Sequence, residues 1–95
     1  MSSPSLADAM TNYPRRLDGL DVNPADGGFI IYQPEKDRVH FLNHSAVLVL
    51  ELCDGHRSPD DIGGLVKSAY GLERIPEQMV EETLARLRSE GLIVE

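Results

Sequence analysis

The segment 41–55, FLNHSAVLVLELCDG, constrains the fold of this 95-residue chain more than any other part of the sequence. It predicts the end of a strand followed at once by a helix, because the side chain of Asn43 can accept hydrogen bonds from the free amides of a first helical turn. Apolar residues then recur at helical spacing, at Ala46, Val47, Leu50 and Cys53. Gly55 supplies the left-handed residue that ends a helix. The segment places no catalytic group, so it indicates a compact scaffold and favours binding over catalysis.

A second helix is predicted directly after this glycine. Ser58 is a capping residue, Pro59 fits the first turn, and Asp61 can complete a capping box. The predicted apolar face consists of Ile62, Leu65, Val66, Ala69 and Tyr70. Gly63 and Gly64 each weaken the helix by roughly 1 kcal/mol relative to alanine. We expect them to permit close packing against another helix.

Three strand candidates precede the helices, at residues 20–22, 29–32 and 38–42. The second is rich in β-branched and aromatic residues, and the third alternates polar and apolar residues as a strand with one wet face does. Turn-forming residues fill the segments 23–28 and 34–37 between them. The pattern predicts a three-stranded antiparallel meander.

A third helix is predicted from about Pro76, and Gly91 ends it before an extended tail at residues 92–94. Its apolar stripe consists of Met79, Val80, Thr83, Leu84 and Leu87. Three strands followed by three helices predict an α+β domain with a winged helix-turn-helix-like layout.

Length and composition indicate one small cytoplasmic domain. Residues 14–95 are expected to form it, behind a flexible N-terminal arm at residues 1–13. The formal net charge of −7 opposes binding to nucleic acid or to an anionic membrane. The single cysteine excludes an internal disulfide. No apolar run has transmembrane length, and the N-terminus does not resemble a signal peptide.

Residues with reactive or metal-binding side chains do not form a recognisable site. His40, His44 and His56 have no cysteine or carboxylate at metal-ligand spacing, so no metal is predicted and the histidines are expected to face solvent. Cys53 lies on an apolar helix face, where a buried and inert thiol is the usual state. No nucleophile–base pair or carboxylate pair emerges. We therefore predict neither catalysis nor a cofactor.

A winged-helix transcriptional regulator is the alternative function. A DNA-reading third helix would present Arg, Lys, Asn or Gln at its start. This helix presents instead Glu77, Gln78, Glu81 and Glu82. Its local charge therefore opposes DNA binding, in agreement with the net charge.

The stretch FLNHSAVLVLELCDGHRSPDDI resembles the PqqD-like proteins, the peptide-binding components of pathways that modify ribosomally made peptides. Shared features are a strand ending in Leu-Asn, an apolar helix, Asp-Gly and a Ser-capped helix. The tail Gly91-Leu92-Ile93 resembles the family's Gly-Leu-Leu-type ending, so the resemblance runs from about Pro14 to Glu95. The family often has Trp where Leu50 stands, and this chain has no Trp.

The resemblance implies a peptide-recognition domain that binds a leader peptide between its third strand and third helix. The peptide adds to the sheet, which requires that the third strand lie at the sheet edge. Carried over, the site consists of Arg38, Val39, His40, Phe41 and Leu42 on the strand and of Met79, Val80, Thr83, Leu84 and Leu87 on the helix. Some of these helix residues must also hold the core, and the sequence leaves that division open. The implied partner is a modifying enzyme of the radical S-adenosylmethionine class, with a homodimer as a further expectation.

Overall fold

The computed structural model describes residues 13–94, so the predicted arm at residues 1–13 lies outside it apart from Tyr13. In chain order the elements are β1 (Arg15–Arg16), β2 (Asp21–Ala25), β3 (Gly28–Gln33), a 3-10 turn (Pro34–Lys36), β4 (Arg38–Asn43), α1 (His44–Leu52), α2 (Pro59–Tyr70), α3 (Glu77–Ser89) and β5 (Ile93–Val94). The predicted α+β fold, a three-stranded antiparallel sheet followed by three helices, is confirmed. No helix within residues 13–94 is long and apolar enough to cross a membrane.

The main sheet has the order β2–β3–β4, and both pairings are antiparallel. Its register pairs Val22 with Ile31, and Ile31 in turn with His40. Each of the three strands ends later than predicted, and β3 also begins one residue earlier. β2 continues into the segment that the sequence indicated as a turn. This extension includes Pro24, which a sheet tolerates at an edge strand. β4 forms the opposite edge.

A second, two-stranded ladder joins the two ends of the described chain. β1 pairs antiparallel with β5, and Arg16 also donates its amide to the Cys53 carbonyl over 2.8 Å. Gly55 donates to the Pro14 carbonyl over 2.9 Å. β1 has no signal in the sequence, because a two-residue strand is too short to show periodicity.

The helix caps follow the predictions closely. The Asn43 side chain accepts from the Ala46 amide over 2.9 Å, and Ser58 and Asp61 form the reciprocal capping box. α1 ends at Leu52, before the predicted glycine, which instead occupies the following turn with a φ of 85°. In that turn the His56 amide donates to the Asp54 carboxylate and lowers the pKa of this exposed group.

The core surrounds α1, the most apolar helix. Its fully buried side chains include Ile31, Leu42, Val49, Leu50, Cys53, Ile62, Val66, Leu87 and Leu92. The predicted apolar face of α2 is wrong in part, because Leu65 and Tyr70 are 41% and 48% exposed. Only a narrow stripe of α2 is covered by its neighbours, and Ile62 and Val66 fill it.

The two glycines of α2 have different environments. A Cβ atom on Gly63 would stand 2.6 Å from Cγ2 of Ile75, whereas a Cβ on Gly64 would meet nothing within 4 Å. The predicted close packing is therefore present at Gly63. There Ile75, in the connection between α2 and α3, packs directly against α2.

Gly64→Ala should raise the free energy of unfolding by about 0.5–1 kcal/mol, since alanine loses less backbone entropy in a helix interior. Gly63→Ala should not raise the free energy of unfolding in this way, because Ile75 would have to move to make room for the new methyl group. Urea denaturation of the two variants measures the difference. Equal stabilisation by both would contradict the packing of Ile75 on Gly63.

Candidate functional site

The backbone of β4 has one side that no other strand of the described chain covers. The pairing with β2 shows which way the backbone N–H and C=O groups of each residue point. Pro24 in β2 has no N–H, so it cannot form a hydrogen-bonded pair with Phe29. Because bonded and non-bonded pairs alternate, Phe29 and Ile31 direct their backbone groups towards β4 instead. Their partners Leu42 and His40 therefore complete the ladder.

Val39 and Phe41 consequently direct their N–H and C=O groups away from the sheet. An independent contact supports this direction, since Nη2 of Arg86 donates to the Phe41 carbonyl over 2.8 Å. The opposite edge is less suited to pairing, because Pro24 there offers no donor. β4 is thus the edge at which another strand can add.

The C-terminal end of α3 reaches this strand. Near its end, Arg86 reaches β4, and Glu90 places Oε2 3.8 Å from Nδ1 of His40. Earlier on the same side lie Met79 and Thr83, both half-buried, with the Thr83 hydroxyl donating to the Met79 sulfur over 3.5 Å. We call the space between these side chains and the β4 edge the β4–α3 groove.

A buried polar network ties the base of the groove together. The side-chain amide of Gln33 donates Nε2–H to the Gly91 carbonyl over 3.1 Å. This contact turns the side-chain oxygen of Gln33 towards His40. Nε2 of His40 lies 3.3 Å from that oxygen and is therefore the donor of the pair. The expectation that His40 faces solvent is wrong, because the residue is only 9% exposed and faces the interior side of β4.

The ten residues predicted for the site fall into three groups. Arg38, Val39 and Phe41 are exposed on β4, with Val39 at 66% and Phe41 at 49%. Met79 and Thr83 are half-buried on the side of α3 that carries Arg86. The buried ones are His40, Leu42, Val80, Leu84 and Leu87. The three buried residues of α3 belong to the core, and Met79 also packs against it.

Arg86 and Glu90 are the groove residues that the sequence prediction omitted. Their signal was their position on α3, three and seven residues beyond Thr83, on the same side of a helix with 3.6 residues per turn. Both residues are charged, so they do not belong to the apolar stripe from which the helix side of the site was predicted.

The remaining candidate residues within residues 13–94 are the histidines, the cysteine and the acidic residues of α3. His40 is inside the sheet, His44 begins α1 and His56 lies in a turn, and no group of three metal-binding side chains occurs in this part of the chain. Cys53 is fully buried as predicted, with its sulfur 3.1 Å from the Val49 carbonyl. The start of α3 exposes the acidic residues that the sequence indicated, Glu77, Glu81 and Glu82.

Comparisons with known proteins agree with this geometry. The family model of coenzyme PQQ synthesis protein D, PqqD, matches residues 28–93. Comparison with curated proteins gives no match. A structure of lasso peptide synthetase B1 complexed with the leader peptide superposes with a TM-score of 0.66 at 22% identity. The alignment covers 86% of this chain and 98% of that one.

A second solved structure is similar to the same extent. It is the solution structure of the PqqD truncation of Methylobacterium extorquens PqqCD, described as a functional and stand-alone recognition element for ribosomally synthesised and post-translationally modified peptides. Its TM-score is 0.62 at 23% identity, over 86% of this chain and 88% of that one. At such identity the two structures establish a common fold.

Proposed function

This chain belongs to the PqqD family, and from that premise we propose that it is a non-catalytic peptide-recognition domain. It binds the leader of a ribosomally synthesised precursor peptide and presents that peptide to a modifying enzyme. The observation that carries the proposal is the unpaired edge of β4 beside α3, where Val39 and Phe41 offer backbone donors and acceptors. The leader complex of lasso peptide synthetase B1 and the recognition element of PqqCD support it.

The open backbone side of β4 in the groove favours binding of the leader by strand addition. The leader pairs with β4 and becomes the fourth strand of the main sheet, so backbone hydrogen bonds supply much of the affinity. Side chains of an added strand alternate between the two faces. One row would contact Met79 and Thr83 on α3, and the other would lie beside the exposed side chains of Val39 and Phe41. Specificity therefore depends on alternate leader residues.

The chain contributes no chemistry in this proposal and acts by proximity. A bound leader holds the rest of the precursor near the partner's active site at a raised effective concentration. We propose a radical S-adenosylmethionine enzyme as this partner and the cytoplasm as the location. A homodimer is a further proposal, and a copy that paired through β4 would compete with the leader for the same edge.

Calorimetric titration tests the proposal directly. The probes are synthetic, unmodified N-terminal segments of any short peptides that the genes next to that of this chain encode. We expect one of them to bind saturably and a duplex DNA of similar length not to bind at about 150 mM salt, since the exposed start of α3 is acidic. Tight DNA binding that weakens steeply with salt, without any peptide binding, would favour the transcriptional regulator instead.

Thr83→Glu should weaken peptide binding about tenfold or more, because a carboxylate would lose water against the bound strand. The free energy of unfolding should change little, since Thr83 is only half-buried. The matched control is Ala85→Glu, an exposed position on the opposite side of the same helix, which should bind normally. Equal affinities for the two variants would place the peptide away from α3.

A further inference from the structure

One side chain crosses the β4–α3 groove. Arg86 extends from α3 and donates Nη2 to the Phe41 carbonyl over 2.8 Å, between residues 45 positions apart in the chain. The Arg86 side chain is about half exposed, so its guanidinium lies at the surface, where a peptide would approach. The groove of the peptide-free chain is thus bridged at Phe41.

The bridged carbonyl is one that strand addition uses. An added strand would place an amide nitrogen about 2.9 Å from the outward oxygen of Phe41. A guanidinium nitrogen of Arg86 already stands at 2.8 Å from that oxygen. The leader amide would therefore have to bind an oxygen that already accepts a hydrogen bond from Arg86.

Glu90 holds Arg86 in the bridging position. Nε of Arg86 lies 3.5 Å from Oε2 of Glu90, one helical turn further along α3. This oxygen is buried and accepts no hydrogen bond within the described part of the chain. Its other neighbour is Nδ1 of His40 at 3.8 Å, and Nε2 of the same ring lies 3.3 Å from the Gln33 side-chain oxygen. Of these two partners, Arg86 is the one that is always charged.

We propose that Arg86 is a latch that closes the β4 edge in the peptide-free chain and that the leader must displace. The proposal rests on the proposed function and adds the regulation of the same edge. The same latch would also oppose pairing of this edge, with its exposed Val39 and Phe41, to strands other than the leader, because a capped carbonyl and a charged side chain protect an edge strand.

Arg86→Met tests the latch, since methionine keeps an unbranched side chain but offers no donor. This variant should bind the leader segment identified by titration about three- to tenfold more tightly than the unaltered chain, the range expected from removing one competing hydrogen bond. The matched control is Arg88→Met, with the same change in charge about 200° around α3. Its affinity should stay within about twofold of the unaltered chain.

The outcomes separate the two proposals. Weaker or unchanged binding by Arg86→Met would overturn the latch while leaving the peptide function in place. Failure of every leader segment to bind both the unaltered chain and Arg86→Met would overturn the proposed function, and with it the role of the latch. Without peptide, nuclear magnetic resonance should show a more restricted guanidinium for Arg86 than for the exposed Arg74. An equally unrestrained Arg86 would overturn the closed state.

Discussion

Proline at position 39 should weaken leader binding at least about tenfold and leave the domain folded, whereas proline at position 40 should strongly destabilise the fold. The amide of Val39 points to the open edge, where its removal costs the free chain no ladder hydrogen bond. The amide of His40 points to β3, and its loss breaks the ladder above a buried network. The same substitution therefore has opposite consequences at adjacent positions.

Calorimetric titration and circular dichroism measure the two effects. Val39→Pro should bind the leader at least about tenfold more weakly and keep a native spectrum, because a carbonyl of the added strand loses its N–H donor and meets the proline ring. His40→Pro should lose about 3 kcal/mol or more of folding free energy. Val39→Ala is the control, since it shortens the exposed side chain but keeps the amide. Normal binding by a folded Val39→Pro variant would mean that the leader does not pair with this part of β4.

Leu50→Ala should lower the free energy of unfolding by about 2–5 kcal/mol. Leu50 is 0% exposed at the centre of the core, and truncation leaves a cavity that the surrounding helices and sheet cannot fully close. Small domains have total stabilities of roughly 5–15 kcal/mol, so the loss approaches unfolding. The control is Leu48→Ala on the same helix, where the side chain is only half-buried and the cost should be smaller.

Urea denaturation followed by circular dichroism measures both leucine variants. A loss below about 1 kcal/mol for Leu50→Ala, or an equal loss for Leu48→Ala, would contradict the orientation of α1 in the core.

Local signals were sufficient for the order of the main-sheet strands and the helices, and for the helix starts. Asn43, Ser58 and Asp61 were predicted as caps and act as caps, because an N-cap bonds only to residues within one turn of itself. The end of α2 is equally local, because Gly71 caps the helix in the left-handed conformation with a φ of 62°. The α+β fold class followed from this order, because each predicted element carried its own periodicity.

Tertiary structure alone decided which side of each element is accessible. His40 looked like a solvent-facing residue and is buried, and Leu65 looked like a core residue and is exposed, because burial depends on what packs against a position. The latch residue Arg86 depends on the approach of α3 to β4, two elements far apart in the chain.

Gly28 shows the same division at one residue. The sequence places it in a turn-rich segment, which requires only a flexible residue. In the structure it begins β3 beside β4, and a Cβ atom there would stand 2.2 Å from the Leu42 carbonyl oxygen. The sequence by itself determined that a turn precedes β3, since turn chemistry is local. Only the tertiary structure decided that the backbone of β4 leaves no room for a side chain at Gly28, because that contact forms when distant residues pair.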